Sequence, residues 1–227
     1  MSEPLPRRLL AEGLGTAFLL IAVVGSGIMA AKLANGNTAL ALLANAVATG
    51  AMLVVLILIL GPVSGAHLNP AVSIAAAARG QLSPGDCFPY LAIQFAGGIV
   101  GVWAAHAMFD LPVAQVSTTV RTGAPLWLAE GIATFGLLLT IFGCVARAPA
   151  ATPYAVGLYI LGAYWFTAST SFANPAVTVA RAFTDTFAGI APSGVATFIG
   201  AQLAGGLIAV VIAGWLWPTR PAPAAQS

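Results

Sequence analysis

Charge is so scarce in this chain that it cannot fold as a water-soluble domain. Lys, Arg, Asp and Glu make up 6% of its 227 residues and hydrophobic residues 59%, and the mean hydropathy is +0.96. Soluble domains carry roughly a quarter of their residues as charges, so the solvent for this fold is a bilayer. Six apolar segments, at 9–31, 38–60, 88–109, 126–146, 154–170 and 194–217, reach or approach the roughly 20 residues that a helix needs to cross the hydrocarbon core. The fifth is the shortest. The runs lack the alternating pattern of barrel strands, so the spans are helices. Turn residues separate them: Asn35-Gly36-Asn37, Gly61-Pro62, Ser83-Pro84-Gly85, Pro149 with Pro153, and Pro192-Ser193-Gly194. Arg7-Arg8 before an apolar run resembles the start of a signal peptide, but the run to Ala31 is longer than a signal core and reads as the first span. Residues 218–227, rich in Pro and Ala, read as a disordered tail.

The chain repeats itself. LLAEGLGTAFLL at 9–20 matches WLAEGIATFGLL at 127–138, and QFAGGIVGV at 94–102 matches QLAGGLIAV at 202–210. HLNPAVSIA at 67–75 matches FANPAVTVA at 172–180. The offsets are 118 for Glu12 to Glu130, 105 for Asn69 to Asn174 and 108 for Gln94 to Gln202, as expected of an old duplication with loops of unequal length. The halves are 1–120 and 121–217, together one domain. Three spans per half is an odd number, so the second half enters from the opposite face and the repeat is inverted.

Each half carries one Asn-Pro-Ala, Asn69-Pro70-Ala71 and Asn174-Pro175-Ala176. Asn is a favoured N-cap and Pro is favoured at the first helical position, where no donor is needed. Each motif therefore starts a helix, and neither helix can span a bilayer before Arg79-Gly80 or Arg181. The predicted architecture is all-α: six transmembrane helices and two half-membrane helices, whose Asn-bearing starts meet near the midplane. Two positive dipole ends at that depth suit neutral polar solutes and oppose cations. The small polar residues before each motif (Ser64, Gly65 and Ala66; Ser169, Thr170 and Ser171) suit extended approach segments whose carbonyls line a wet path.

Few ionisable residues remain. Glu12 and Glu130 sit at helix depth, where a carboxylate serves either ion coupling or a local hydrogen-bonding role. Their repeat-related positions favour the second, each accepting from backbone N–H groups of the approach segment in its own half. Gln, which still accepts, is then expected to substitute mildly. His67 offers a carbonyl or an imidazole to the path, or packs beside it. His106 and Asp110, spaced i, i+4, read as an interfacial pair of little consequence. Cys87 and Cys144 lack metal-ligand spacing and read as packing residues. A net charge of +2 without a basic patch gives no nucleic-acid surface, and nothing implies a cofactor, a metal or a catalytic centre. Arg7, Arg8, Arg79, Arg147 and Arg220 fall on the side of the termini, and Lys32, Arg121 and Arg181 on the other, which favours cytoplasmic termini.

Six spans, inverted halves and the stretches AEGLGT, SGAHLNPAVSIA and FANPAVTVAR, with two Q-x-A-G-G segments, resemble the aquaporin, or major intrinsic protein, family over about residues 7–217. The resemblance implies passive conduction of small neutral solutes, a homotetramer with one pore per subunit, and loop support by Glu12 and Glu130. In most aquaporins an Arg follows the second motif and helps form the narrowest point. Here that residue is Val177. The family's spacing puts the other filter positions on Thr49, Gly162 and Ser171, a ring with no aromatic, imidazole or charge, which implies a wide pore. Arg181 stands one turn, about 5.4 Å, further out, either as a displaced filter at the outer mouth or facing water and lipid phosphate. The chain resembles aquaglyceroporins, and more closely a bacterial branch with NPAV in the second box that is associated with arsenic resistance (AqpS-type). That implies glycerol-like polyols, water and neutral metalloid hydroxides such as arsenite as solutes, and the bacterial inner membrane as location. Two alternatives stay open: a water-selective aquaporin, and an ion- or proton-coupled secondary transporter using Glu12 and Glu130.

Overall fold

A computed structural model describes residues 3–218; residues 219–227, most of the expected tail with Arg220, lie outside it. Eight α-helices follow in order: α1 Leu5–Leu33, α2 Thr38–Ser64, α3 Pro70–Ala78, α4 Pro84–Met108, α5 Ala124–Arg147, α6 Thr152–Phe166, α7 Pro175–Ala180 and α8 Pro192–Leu216. Side-chain caps start two of the long ones. Asn37 accepts from the Leu40 N–H (3.1 Å) and Ser83 from the Asp86 N–H (3.1 Å). Five helices are long and apolar enough to cross a membrane. The sixth expected span is shorter than its apolar run: α6 has 15 residues and ends at Phe166, because the chain turns at Thr167 into the segment that leads to α7.

The two halves use the same packing. In a bilayer, helices gain little from hiding apolar surface, so small residues that let backbones approach decide which faces meet. Gly97 of α4 packs on the Gly13 backbone of α1, and Gly205 of α8 packs on the Gly131 backbone of α5. A Cβ at Gly97 or Gly205 would fall on the facing carbonyl. Between the halves, Gly50 of α2 and Gly157 of α6 lie against each other's carbonyls. Large apolar side chains face outward, including Leu128, Leu207 and Trp215, as lipid allows.

On the face opposite the termini, the segment between α4 and α5 folds over the segment after α7. Ser117 N–H donates to Ala182 C=O (2.9 Å) and Ala191 N–H to Thr119 C=O (2.7 Å). The Thr118 N–H and hydroxyl both donate to Asp185 Oδ1 (2.8 and 2.9 Å) and hold this carboxyl below its ordinary range. His106 belongs to this seam and is no interfacial partner of Asp110. It is fully buried, with Nδ1 2.9 Å from Val113 C=O and Nε2 2.8 Å from the Thr184 hydroxyl. The i, i+4 pairing fails because α4 ends at Met108 and Asp110 leaves it in a left-handed conformation, at φ 55°.

Candidate functional site

The two Asn-Pro-Ala segments meet inside the bundle in a reciprocal arrangement. Asn69 Oδ1 caps α3 by accepting from the Ala71 N–H (2.9 Å). Asn174 Oδ1 caps α7 by accepting from the Ala176 and Val177 N–H groups (2.9 and 3.2 Å). Each side-chain amide then reaches the other half: Asn69 donates to Ala173 C=O and Asn174 to Leu68 C=O, both at 2.8 Å. An Asn amide has two hydrogens. One is used in each cross-bond, and the second remains for a cavity that both side chains line. Pro70 and Pro175 take the first helical position and lose no bond there.

The approach segments are held in unusual backbone geometry. Ala66 and Leu68 have φ of 46° and 49°, and their repeat partners Ser171 and Ala173 have φ of 50° and 47°. Left-handed conformations cost a non-Gly residue about 1–2 kcal/mol each. The two glutamates hold them. Glu12 accepts four bonds: from the Ser64 hydroxyl (2.7 Å) and His67 N–H (2.9 Å) on Oε1, and from the Leu68 N–H (2.7 Å) and Gln94 amide (2.8 Å) on Oε2. Glu130 accepts from the Phe172 N–H (2.9 Å) on Oε1, and from the Ala173 N–H (2.9 Å) and Gln202 amide (2.6 Å) on Oε2. Both carboxylates are fully buried and lie behind the segments, off the cavity wall. With the N–H groups turned back to the glutamates, the carbonyls are left to the path side.

A cavity of about 250 Å³ runs through the bundle past this junction. Gln81, Phe142, Val145 and Thr152 line it toward the termini, and Thr49, Tyr164, Ser171 and Arg181 toward the opposite face. His67 is on its wall; its Nδ1 lies 3.1 Å from the Ser73 hydroxyl and its ring rests against Tyr90. Val177 is also on the wall and packs with Leu19, Val23 and Leu68.

Two expectations for the far end need correction. Gly162 is not on the wall. Residues Val156, Ile160 and Tyr164 line the cavity from α6 at four-residue spacing. Gly162, two residues and therefore about 200° off that row, turns outward. That end of the wall also carries an aromatic, Tyr164, and a charge, Arg181. Of the two places expected for Arg181, a displaced filter at the outer mouth or a surface facing water and lipid phosphate, the second does not hold: Arg181 is buried at 3% exposure and stands on the wall. Its guanidinium lies 3.4 Å from the Phe172 ring centroid, and its Nε donates to Ala188 C=O. Sequence reasoning gives no sign of Tyr164 or Tyr90 at the site, and shows Gln94 and Gln202 only as members of the repeat. The Q-x-A-G-G repeat did carry a signal for the two Gln, since both recur beside a Glu.

The family profile described as Major intrinsic protein matches residues 2–160. The chain belongs to the major intrinsic protein family. It is 55% identical over 218 residues to the aquaglyceroporin AqpS of Rhizobium meliloti (strain 1021), across 96% of this chain and 93% of that protein. It is 30% identical over 170 residues to the glycerol uptake facilitator protein of Streptococcus pneumoniae (strain ATCC BAA-255 / R6), across 68% and 72%. The X-ray structure of the aquaglyceroporin from Plasmodium falciparum shares the fold, with a TM-score of 0.74 over 95% of this chain and 97% of that one at 22% identity.

Proposed function

We propose that this major intrinsic protein is a passive transmembrane channel for small uncharged solutes: glycerol-sized polyols, urea, water and neutral metalloid hydroxides such as arsenous acid. One observation carries the reading. The cavity passes two Asn side chains, each with an unspent amide hydrogen beside a helix start, and among the described residues no carboxylate lines it. Such a wall replaces part of a neutral solute's hydration, and the two helix starts that meet at the midpoint turn their positive ends against a cation. The names of the relatives, an aquaglyceroporin and a glycerol uptake facilitator, support the same solute class. Asn69, Pro70, Ala71, Asn174, Pro175 and Ala176 form the midpoint, Glu12 and Glu130 support it, His67 adds its imidazole, and Thr49, Ser171 and Val177 line the path toward the face opposite the termini.

Coupled transport through Glu12 and Glu130 is disfavoured, since both carboxylates are bound to backbone N–H groups that also hold the fold. Family membership supports a homotetramer with one pore per subunit. The position of Arg7, Arg8, Arg79 and Arg147 on the face of the termini supports a cytoplasmic placement of that face in a bacterial inner membrane.

Stopped-flow shrinkage of proteoliposomes tests the reading. The wild type is expected to speed both water and glycerol equilibration and to leave Na⁺ leak at the level of empty liposomes. Asn69→Asp and Asn174→Asp, which put a carboxylate between the two dipole ends, are expected to admit Na⁺. Well-folded Asp variants with wild-type solute flux and no Na⁺ leak would contradict the midpoint role.

A further inference from the structure

We propose that the outward groove between α5 and α8 is a site for one acyl chain of a membrane phospholipid. The groove encloses about 400 Å³. Trp127, Gly131 and Phe135 of α5 form one side, and Ala201, Gly205 and Ile208 of α8 the other. Of the described residues that line it, only Trp127 has a polar atom in its side chain. The backbone of its floor is helical, so the N–H and C=O groups there are spent within α5 and α8. Water and the polar solutes of the path would lose hydrogen bonds in such a groove, whereas hydrocarbon loses none. Exposed Leu128 and Ile208 place its opening on surface that faces the bilayer.

The other half of the duplication fills the equivalent place with its own chain. Gly131 and Ala201 correspond to Gly13 and Ile93. Ile93 lies over Gly13: a Cβ on that glycine would come within 2.8 Å of Ile93 Cγ1. A Cβ on Gly131 would meet no such side chain, its nearest neighbour being the Ala201 carbonyl oxygen at 3.5 Å. Phe135 stands where the first half has Ala17 and gives the groove a wall. The α1–α4 crossing is thus covered from within, and the α5–α8 crossing leaves room for a guest.

A lipid chain fits as that guest and a protein does not. Nine residues line the groove, whereas a stable protein interface takes about 20–30 residues a side. From Trp127 to Phe135 the groove follows α5 for about 12 Å, over which a helix about 10 Å across would occupy roughly 900 Å³. A single hydrocarbon chain is thinner. Helix α5 begins at Ala124 on the face opposite the termini, so Trp127 sits near that surface, where Trp side chains concentrate. The 12 Å run then stays within one leaflet, about 15 Å deep. The groove shares no lining residue with the solute cavity. Its floor is the Gly131–Gly205 crossing, and Glu130 and Gln202 adjoin that crossing on the buried side, where they hold the approach segment to α7. A seated chain binds the crossed helices and not separated ones, and so stabilises them by mass action.

The test uses purified protein in octyl glucoside, with palmitoyl-oleoyl phosphatidylglycerol as the probe and size-exclusion profiles to establish assembly. Native mass spectrometry is expected to show one more retained lipid per subunit in wild type than in Ala201→Ile, which carries the filler of the first half. Ile93→Ala, which opens the matching place on α4, is expected to retain one more than wild type. Gly200→Ala, off the groove on the same helix, is expected to match wild type. Added probe is expected to raise the melting temperature of wild type by several degrees more than that of Ala201→Ile. Dihexanoyl phosphatidylglycerol, with the same headgroup on short chains, is expected to leave it unchanged. Equal retention and equal melting shifts in wild type and assembled Ala201→Ile would make the groove ordinary lipid-facing surface. An equal shift from the short-chain lipid would mean recognition of a headgroup, and a smaller oligomer of Ala201→Ile a contact between subunits. Each of these overturns the proposal. If Ala201→Ile does not assemble, an unchanged lipid count in Ile93→Ala overturns it instead.

Discussion

Glu12 and Glu130 show how little latitude a buried carboxylate has once backbone depends on it. Sequence reasoning finds the pair, because each recurs at helix depth in its own half, and it suggests that Gln would serve nearly as well. The geometry argues otherwise. In Glu12 one oxygen takes the His67 N–H and the other the Leu68 N–H. Gln replaces one oxygen with an amino group, so either orientation sets donor against a backbone donor. The Ser64 hydroxyl can rotate, but a peptide N–H cannot. An orphaned buried donor costs about 1–3 kcal/mol, with the strain of Ala66 and Leu68 released besides. Glu12→Gln and Glu130→Gln are therefore expected to unfold in detergent well below the wild type, and Glu12→Leu to fail to assemble. Equal melting of Glu12→Gln and wild type would show that the approach segment stands without the carboxylate. The left-handed residues themselves left no trace in the sequence, since Ala66, Leu68, Ser171 and Ala173 are not types that favour positive φ.

At the scale of helices, what was legible was what recurs. The long spans agree with the apolar runs to within a few residues, and the half-helices begin where Asn-Pro announces them. The end of α6 was not legible. Its apolar run continues past Phe166, so hydropathy cannot say where helix gives way to the extended segment, and the orientation of Gly162 and Tyr164 depends on that point. Glycine positions carry the helix crossings. A Cβ at Gly205 would strike the Gly131 carbonyl, whereas one at Gly200, on the same helix, meets nothing within 4 Å. Gly205→Ala is expected to lower stability by about 1–3 kcal/mol as α5 and α8 are forced apart. Gly200→Ala is expected to be neutral or slightly stabilising, since Ala is the better helix former. Thermal unfolding of the two variants side by side checks this, and equal effects would mean that close approach at Gly205 does not hold the pair.

Across the whole molecule, duplication supplies the frame, and its departures from symmetry mark where the halves differ. The Glu–Gln support, the glycine crossings and the reciprocal Asn–carbonyl bonds occur in both halves. Tyr90 does not: its hydroxyl holds Ser64 C=O in the first half at 2.9 Å, while the matching residue of the second half is Phe198, packed on Phe172 beneath Arg181. The half with the aromatic pair builds the charged end of the path, and the other leaves His67 on its wall. All of this describes a fixed path along which solute moves down its own gradient, and among the described residues no carboxylate lies on its wall. The most direct measurement is glycerol efflux from proteoliposomes that hold a pH-sensitive dye, under symmetric salt with and without an imposed pH gradient. The account predicts an efflux rate that is the same in both conditions, and a dye signal no different from that of protein-free vesicles. Efflux that requires the pH gradient, or that moves protons in fixed proportion to glycerol, would contradict it.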